Sequence, residues 1–350
     1  MKLKNILSVI CILFVATACS MEDDILNDAG KEIYNQNSDK EAILSFNLDT
    51  NALLTKSTED ASGDKELKLN NCVLALMDGN DVISVRTSSD IASTGKVNDV
   101  TFLTKVRSGL SVIAIVNVAD PNAYLNAVTR NDLNKEIAID PNGTDCLAKQ
   151  GEKSIEFPAG FGSSSTASTE ENTLPVVIVV SQLAAKIQLS EFNIAYATDV
   201  QKKKSVTLTS VSFENINKKS YVFTEYALTK DSKTFEMDKS LVEGKNEIGN
   251  SIYSYANKNE SSPVKMTLTF RIDEVGSMQV ETVTKTYIIN KSNGNTTFEG
   301  EGSGTYVNPG YLYRVNVNMK VNTHSVDTDV ICYTQDWEHN EVAVDMSEIK

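Results

Sequence analysis

The sequence predicts an all-β protein of two tandem β-sandwich domains with minor short helices. From residue 67 onward, short runs that alternate apolar and polar residues recur between turn residues, and this period of two is typical of half-buried strands. The length of 350 residues favours two domains, and a Ser/Thr/Gly-rich stretch at 160–173 lies between two strand-rich halves. The 41% of hydrophobic residues is enough for two cores.

Residues 1–18 are expected to be an export signal. Two lysines precede an apolar segment, residues 6–18, that is shorter than a transmembrane helix needs to be to cross the bilayer. The stretch "ATAC", which ends at Cys19, resembles a bacterial lipobox, in which the cysteine thiol is acylated and becomes the new N-terminus. The alternative is an ordinary secretory signal with an incidental cysteine. The acidic residues that follow resemble the tag of surface-exposed lipoproteins, or are solvated linker.

The body is predicted to begin with an isolated strand. Its apolar residues Ala42, Leu44, Phe46 and Leu48 recur at every second position, and a polar, loop-like segment follows around Lys56. We expect this strand to pair within the N-terminal sandwich with its apolar side chains buried.

Two later segments also carry a structural prediction. The run "LSVIAIVNVAD" at 110–120 is continuously apolar, which fits a strand buried on both faces. The run "DPNAYLNAVTRNDLNKEIA" at 120–138 has the spacing of a short helix or two.

Composition and motifs argue against several functions. The net charge of −14 argues against binding nucleic acid and against docking on anionic lipid by charge. His324 and His339 stand in no metal motif, and the chain has no nucleophile elbow and no phosphate loop. The stretch "DPNGTD" at 140–145 resembles half of a calcium loop but lacks the distal glutamate, so a tight turn is expected there. We expect no enzyme, no metal and no cofactor.

Cysteine usage indicates no disulfide framework. After the signal and Cys19, the chain keeps Cys72, Cys146 and Cys332, and an odd number leaves at least one thiol unpaired. Cys72 opens the apolar run "CVLALM" and is predicted to be a buried core thiol. Whether any of the three pair stays open.

Taken together in their order, several segments resemble the FimA-like fimbrillins, the Mfa-like lipoprotein precursors that form the shaft of type V pili. The resemblance covers nearly the whole chain. It is carried by the lipobox at Cys19, the 42–48 strand with Thr55-Lys56-Ser57 after it, "LNNCVLALMDGNDVI", "GLSVIAIVNVAD" with Asn117, "FPAGFG" followed by "VVIVVSQLAAKIQL" with Ala185-Lys186, "NPGYLYRVNVNM", and "TQDWEHNEVAV" with Trp337.

The resemblance implies two transthyretin-like sandwiches and assembly by strand exchange. A lipidated precursor reaches the outer membrane, and a trypsin-like protease cuts after a basic residue that follows the first strand. Losing that strand opens a groove, which the C-terminal segment of another subunit fills by β-augmentation. The partners implied are other copies of the chain, accessory pilus subunits, the outer membrane before processing, and the protease.

Mapped onto this sequence, the resemblance gives domains and site residues. The domains are the signal at 1–18, a lipidated propeptide with the first strand at 19–56, an N-terminal sandwich at 57–172, and a C-terminal sandwich with a donor tail at 173–350. The site residues are lipidation at Cys19, processing at Lys56 and Ser57, a plug strand of Ala42, Leu44, Phe46 and Leu48, and donor positions Val330, Cys332, Val342, Val344 and Met346.

Three alternatives stay open at this point. The family's cut site is commonly arginine, so Lys56 is either the cut site or a solvated loop residue, and an uncut chain would stay lipid-anchored at the pilus base. The alternatives to a shaft subunit are an anchor or tip subunit of the pilus, and a standalone surface lipoprotein that binds a carbohydrate or a protein through its loops. Trp337 either anchors an intermolecular contact or packs onto its own domain.

Overall fold

The computed structural model describes most of the chain between residues 40 and 336. The described ranges are 40–50, 64–139, 147–162, 172–199, 202, 204–224, 230–259, 261–274, 280–289, 296–300, 307–322 and 326–336, with the backbone alone described at 64–65, 296–300 and 326–336. Among the described residues, no helix is long and apolar enough to cross a membrane.

The described residues are predominantly β-structure, as predicted. The strands are β1 Glu41–Asp49, β2 Cys72–Asp78, β3 Asp81–Ser88, β4 Lys96–Lys105, β5 Leu110–Val116, β6 Glu136–Ala138, β7 Lys149–Ser154, β8 Thr173–Val179, β9 Ser181–Gln182, β10 Ala184–Tyr196, β11 Lys204–Asn217, β12 Lys219–Tyr221, β13 Lys230–Leu241, β14 Gly244–Tyr255, β15 Lys265–Glu274, β16 Val280–Ile288, β17 Thr296–Gly300, β18 Tyr311–Val321 and β19 Val326–Asp336. The short helices are Asp64–Leu67, Pro121–Tyr124 and Arg130–Leu133, and the last two confirm the helical prediction for 120–138.

The first sandwich packs two sheets face to face. One sheet has the order β4-β1-β8 and the other β3-β2-β5-β7-β9. Apolar side chains of β1, β4 and β8 meet those of β2 and β5 in one core. Strand β5 is buried on both faces, as its continuous apolar run predicts, because its other face lies in a second core that it shares with β2.

The second sandwich is built from one hydrogen-bonded sheet that folds over on itself. One layer contains β13, β11, β15 and β16, and the other β14, β10, β18, β19 and β17. Among the described residues, the two layers join through one paired position, Asn217 with Tyr255. Phe192 and Phe270, from opposite layers, pack edge to face with ring centroids 5.5 Å apart, so the space between the layers is a filled core.

The two sandwiches share the core that lies behind β2 and β5. It contains Tyr124 and Leu133 from the short helices, and Val222 and Tyr255 from the second sandwich. The short strands β6 and β12 also pair across the junction. Apolar burial and backbone pairing together therefore hold the sandwiches against each other.

Strands β8 and β9 lie in the first sandwich, whereas the predicted boundary placed residues 173–182 in the second. β8 pairs with β1 and β9 pairs with β7, and the sheet of the second sandwich begins with β10. Val176 and Ile178 pack into the core between the two sheets of the first sandwich, which we call the first core. The alternation of these residues with exposed neighbours predicts a strand but does not show which core it enters.

Asn117 connects the end of β5 to the segment that precedes β2. It has a left-handed backbone with φ of 58°, which asparagine tolerates better than most residues. Its Oδ1 accepts a hydrogen bond from the Asn70 amide at 2.8 Å, and its Nδ2 donates to the carbonyls of Lys68 at 2.8 Å and Leu147 at 3.1 Å. One buried side chain thus ties three backbone segments together.

We expect Asn117→Ala to lower the free energy of unfolding by about 3–4 kcal/mol, because it removes three hydrogen bonds and forces alanine into the left-handed region. Asn117→Gly loses the same side chain without the backbone strain, so its loss should be about 1 kcal/mol smaller. Urea unfolding followed by circular dichroism measures both. A loss below about 1 kcal/mol for the alanine variant would contradict this role.

Candidate functional site

The first strand, β1, lies between two strands and pairs with both. It runs antiparallel to β4 and parallel to β8, with Leu44 opposite Phe102 on one side and Leu174 on the other. Hydrogen bonds extend to both ends of the strand: the Val106 amide donates to the carbonyl of Lys40, just before β1, at 2.9 Å, and the Val180 amide donates to the carbonyl of Asp49, its last residue, at 3.1 Å. β1 therefore occupies an internal position of its sheet although it is the first strand among the described residues.

The alternate side chains of β1 point into the first core. Ala42 and Leu44 are 0% exposed, Phe46 is 2% and Leu48 is 1%. Phe46 packs edge to face on Phe102 with ring centroids 5.3 Å apart. Burying the two leucines and the phenylalanine contributes roughly 1.5–3 kcal/mol each. Their role as a removable plug stays a prediction.

Removing β1 would uncover an apolar groove in this sandwich. Its walls would be the core-facing side chains of β4 and β8, and its floor those of β2 and β5, which belong to the same buried cluster. The facing edges of β4 and β8 would lose their backbone partners at the same time. An apolar groove with two unpaired edges is the kind of surface that accepts an added strand.

Two glycines fit closely against the ends of β1. A Cβ on Gly95, which has φ of +85°, would lie 1.9 Å from the Leu48 carbonyl oxygen. A Cβ on Gly162, with φ of +82°, would lie 2.8 Å from Val106 Cγ2 and 3.0 Å from the Glu41 carbonyl oxygen. A larger residue at Gly95 would therefore displace the β1 backbone at Leu48, whereas at Gly162 smaller shifts of the Val106 side chain and the Glu41 carbonyl would be needed. The sequence gives no sign of these contacts, since both glycines stand in ordinary turn contexts.

One polar atom of β1 is imperfectly accommodated. The pairing with β4 shifts register between Ser45 and Asn47, and the Oδ1 atom of Asn47 is buried without a hydrogen-bond partner among the described residues. Such an atom costs about 1–3 kcal/mol. The free energy with which β1 binds in its sheet is therefore smaller than the burial of its apolar side chains alone would provide.

Cys72 is a buried thiol, as predicted, and lies in the same core cluster as the side chains of β1. Burial is the main cause that raises the pKa of this thiol to about 12, so it stays protonated and unreactive while the core is closed. Cys146 and the side chain of Cys332 lie outside the described residues.

Two of the expected donor positions lie in a strand that is paired on both sides. Val330 pairs with Val317 of β18 and with Thr296 of β17, and Cys332 pairs with Val315 and Phe298. The positions Cys19, Lys56, Ser57, Val342, Val344, Met346 and Trp337, and the turn expected at 140–145, lie outside the described residues.

No group of three or more histidine, cysteine, aspartate or glutamate side chains that could hold a metal ion occurs within the described ranges. The candidate functional site is the position of β1 and the groove that this strand fills.

The chain is similar to known proteins in its fold, whereas its sequence has little in common with theirs. No protein-family model matches the chain, and no curated protein matches it. The crystal structure of a fimbrilin, FimA, from Porphyromonas gingivalis W83 aligns with a TM-score of 0.56 at 12% identity, over 86% of this chain and 98% of that chain.

Two further crystal structures align in the same way, each of a protein described as a candidate cell adhesion protein. The one from Parabacteroides distasonis has a TM-score of 0.53 at 12% identity, covering 84% of this chain and 97% of that chain. The one from Bacteroides eggerthii has a TM-score of 0.51 at 15% identity, covering 86% and 99%. The chain therefore has the all-β, two-sandwich fold of a fimbrilin.

Proposed function

We propose that the chain is a structural subunit of a surface fimbrium, exported as a lipoprotein precursor and polymerised by protease-triggered strand exchange, and that the fimbrium supports adhesion. The observation that carries the proposal is the internal position of β1, which fills the first core and precedes a segment containing Lys56. The likeness to a fimbrilin supports the same class of function.

A cut after Lys56 would change β1 from part of the chain into a separate ligand. Before the cut, the linkage holds β1 beside its groove at a high effective concentration, and after the cut this advantage is lost. The unpaired Asn47 Oδ1 further weakens the binding of β1 in the groove. A strand from another copy could then compete for the groove, pairing with β4 and β8 and burying alternate side chains.

The donor in this proposal is the end of the chain, with Val342, Val344 and Met346 as the inserted side chains. Val330 and Cys332 would first have to leave β17 and β18, which costs the backbone pairing on both sides. The pairing of β19 also supports a second candidate function within the pilus, that of a tip subunit, which would accept a strand without donating one. An uncut anchor subunit would instead keep β1 in its groove.

The proposed location follows from Cys19. Acylation there would hold the precursor at the outer membrane, with the two sandwiches exposed at the cell surface. The partners would be other copies of the chain, accessory pilus subunits and a trypsin-like protease.

We expect limited trypsin to release the segment that ends at Lys56 while both sandwiches resist, because a protease needs backbone that can leave its pairing. The trimmed protein should assemble into ladders or fibres, seen by electrophoresis and electron microscopy. A Lys56→Gln precursor is the matched control and should stay monomeric. Deleting residues 341–350 should stop fibre growth and leave the fold intact. A trimmed, folded chain that remains monomeric at high concentration would exclude the shaft function.

Cys72 should report the opening of the groove. In the precursor its thiol should not react with an alkylating reagent at pH 8, because burial raises its pKa to about 12. After trimming and release of β1 it should react, and it should be protected again once fibres form. Mass spectrometry of the Cys72 peptide measures this. A thiol that stays protected in a trimmed monomer known to lack β1 would show that the groove closes.

Cys19→Ala should block acylation and leave the precursor short of the outer membrane. Labelling with a radioactive fatty acid, followed by membrane fractionation, measures both effects. Label that persists in this variant would rule out the lipobox at Cys19.

A further inference from the structure

The segment between Lys56 and β2 contains two more lysines that a trypsin-like protease could use. These are Lys65 and Lys68, the next two basic residues after Lys56. The side chain of Lys68 is exposed. Cleavage after either lysine would be expected to loosen the chain directly before β2, whose residues are buried on both faces.

Glu66, between these lysines, lies in a cluster with Gln182 of the first sandwich and with Lys186 and Tyr253 of the second, which we call the anchor cluster. Glu66, Gln182 and Lys186 are buried, and Tyr253 is half-buried. Lys186 Nζ lies 3.0 Å from Glu66 Oε1, and both side chains are at least nine-tenths buried. The Tyr253 hydroxyl donates to the same oxygen. Gln182 Nε2 donates to the backbone carbonyl of Glu66 at 2.8 Å.

The charges in this cluster make it hard to open. Lys186 and Glu66 are shielded from water, so separating them would leave a buried charge unpaired. Burial, and secondarily the Glu66 carboxylate, raise the pKa of Tyr253, which keeps its hydroxyl protonated as a donor. Lys186 belongs to β10 and Tyr253 to β14, so the cluster holds the segment against the second sandwich.

The peptide carbonyl of Lys68 is held from the other side. It accepts hydrogen bonds from Asn117 Nδ2 at 2.8 Å and from Lys149 Nζ at 3.3 Å. Lys149 is 0% exposed and Asn117 is 6% exposed. A protease that bound the exposed Lys68 side chain would still have to pull this carbonyl away from two buried donors.

We propose that the anchor cluster restricts processing to Lys56 by keeping the Lys65 and Lys68 peptide bonds out of reach of the protease. The inference rests on the proposed function, because it specifies which of the lysines after β1 the protease cuts and which it leaves intact. It gives a role to Lys186, the lysine of the Ala185-Lys186 pair, and to Glu66, which no sequence motif singles out.

The test compares trypsin cleavage of the exported precursor in four forms: unaltered, Glu66→Gln, Tyr253→Phe and Glu136→Gln. New N-termini are identified by mass spectrometry over time, and circular dichroism confirms folding. Glu136 is the matched control, because its ion pair with Lys219 at 2.7 Å also links the two sandwiches but is solvent-exposed.

We expect Glu66→Gln to raise the rate of cleavage after Lys68 by at least about tenfold, since it leaves Lys186 buried without its counter-charge. Tyr253→Phe keeps the ion pair and should raise the rate about threefold or more. Glu136→Gln should leave it unchanged. If Glu66→Gln fails to fold, Tyr253→Phe decides. Unchanged cleavage after Lys68 in the folded variants would overturn the proposal, as would cleavage of the unaltered precursor after Lys68 as fast as after Lys56.

The same digest in a Lys56→Gln chain separates this inference from the proposed function. If the unaltered precursor gives no N-terminus at Ser57, the proposed processing fails. The rate of cleavage after Lys68 is then compared between the Lys56→Gln chain and the same chain that also carries Glu66→Gln. The ratio of the two rates still decides the role of the anchor cluster. A ratio near one would overturn it, and a ratio of about ten or more would support it.

Discussion

β1 exchanges backbone hydrogen bonds with β4 on one side and with β8 on the other, and the first sandwich depends on this two-sided pairing. In the sheet that β1 belongs to, the other two strands are neighbours of β1 and not of each other. The side chains of β1 fill part of the core between the two sheets. The first of the described strands is therefore structurally central.

The face that β1 buries could be predicted from the sequence, whereas its partners could not. Alternation of apolar and polar residues is local and gives the inward set from Ala42 to Leu48 directly. Pairing with β4 and β8 depends on residues far away in the chain, and nothing in a half-buried strand specifies which edge it meets. For the same reason, the alternation in β8 predicted a strand but not the sandwich that it joins.

The polar contacts were harder still to predict. Asn117 could be recognised as the end of a buried strand, but its bonds to Asn70 and Lys68 depend on how the preceding segment folds back. Glu66 stands in a stretch of charged residues, which usually indicates a solvated surface. Its burial becomes understandable only once Lys186 and Tyr253 are known to lie beside it.

The pairing of β1 with β8 also bears on how the chain folds. Ile43 pairs with Thr173, a contact that closes a loop of about 130 residues and is expected to form slowly. Because a ribosome makes the chain from its N-terminus, β1 can meet β4 early, but it lacks β8 until roughly half of the chain has been made. The sheet of the second sandwich begins after this point, so the first sandwich can close while the second is still being made. One edge of β1 thus lacks its native partner for about the first half of synthesis.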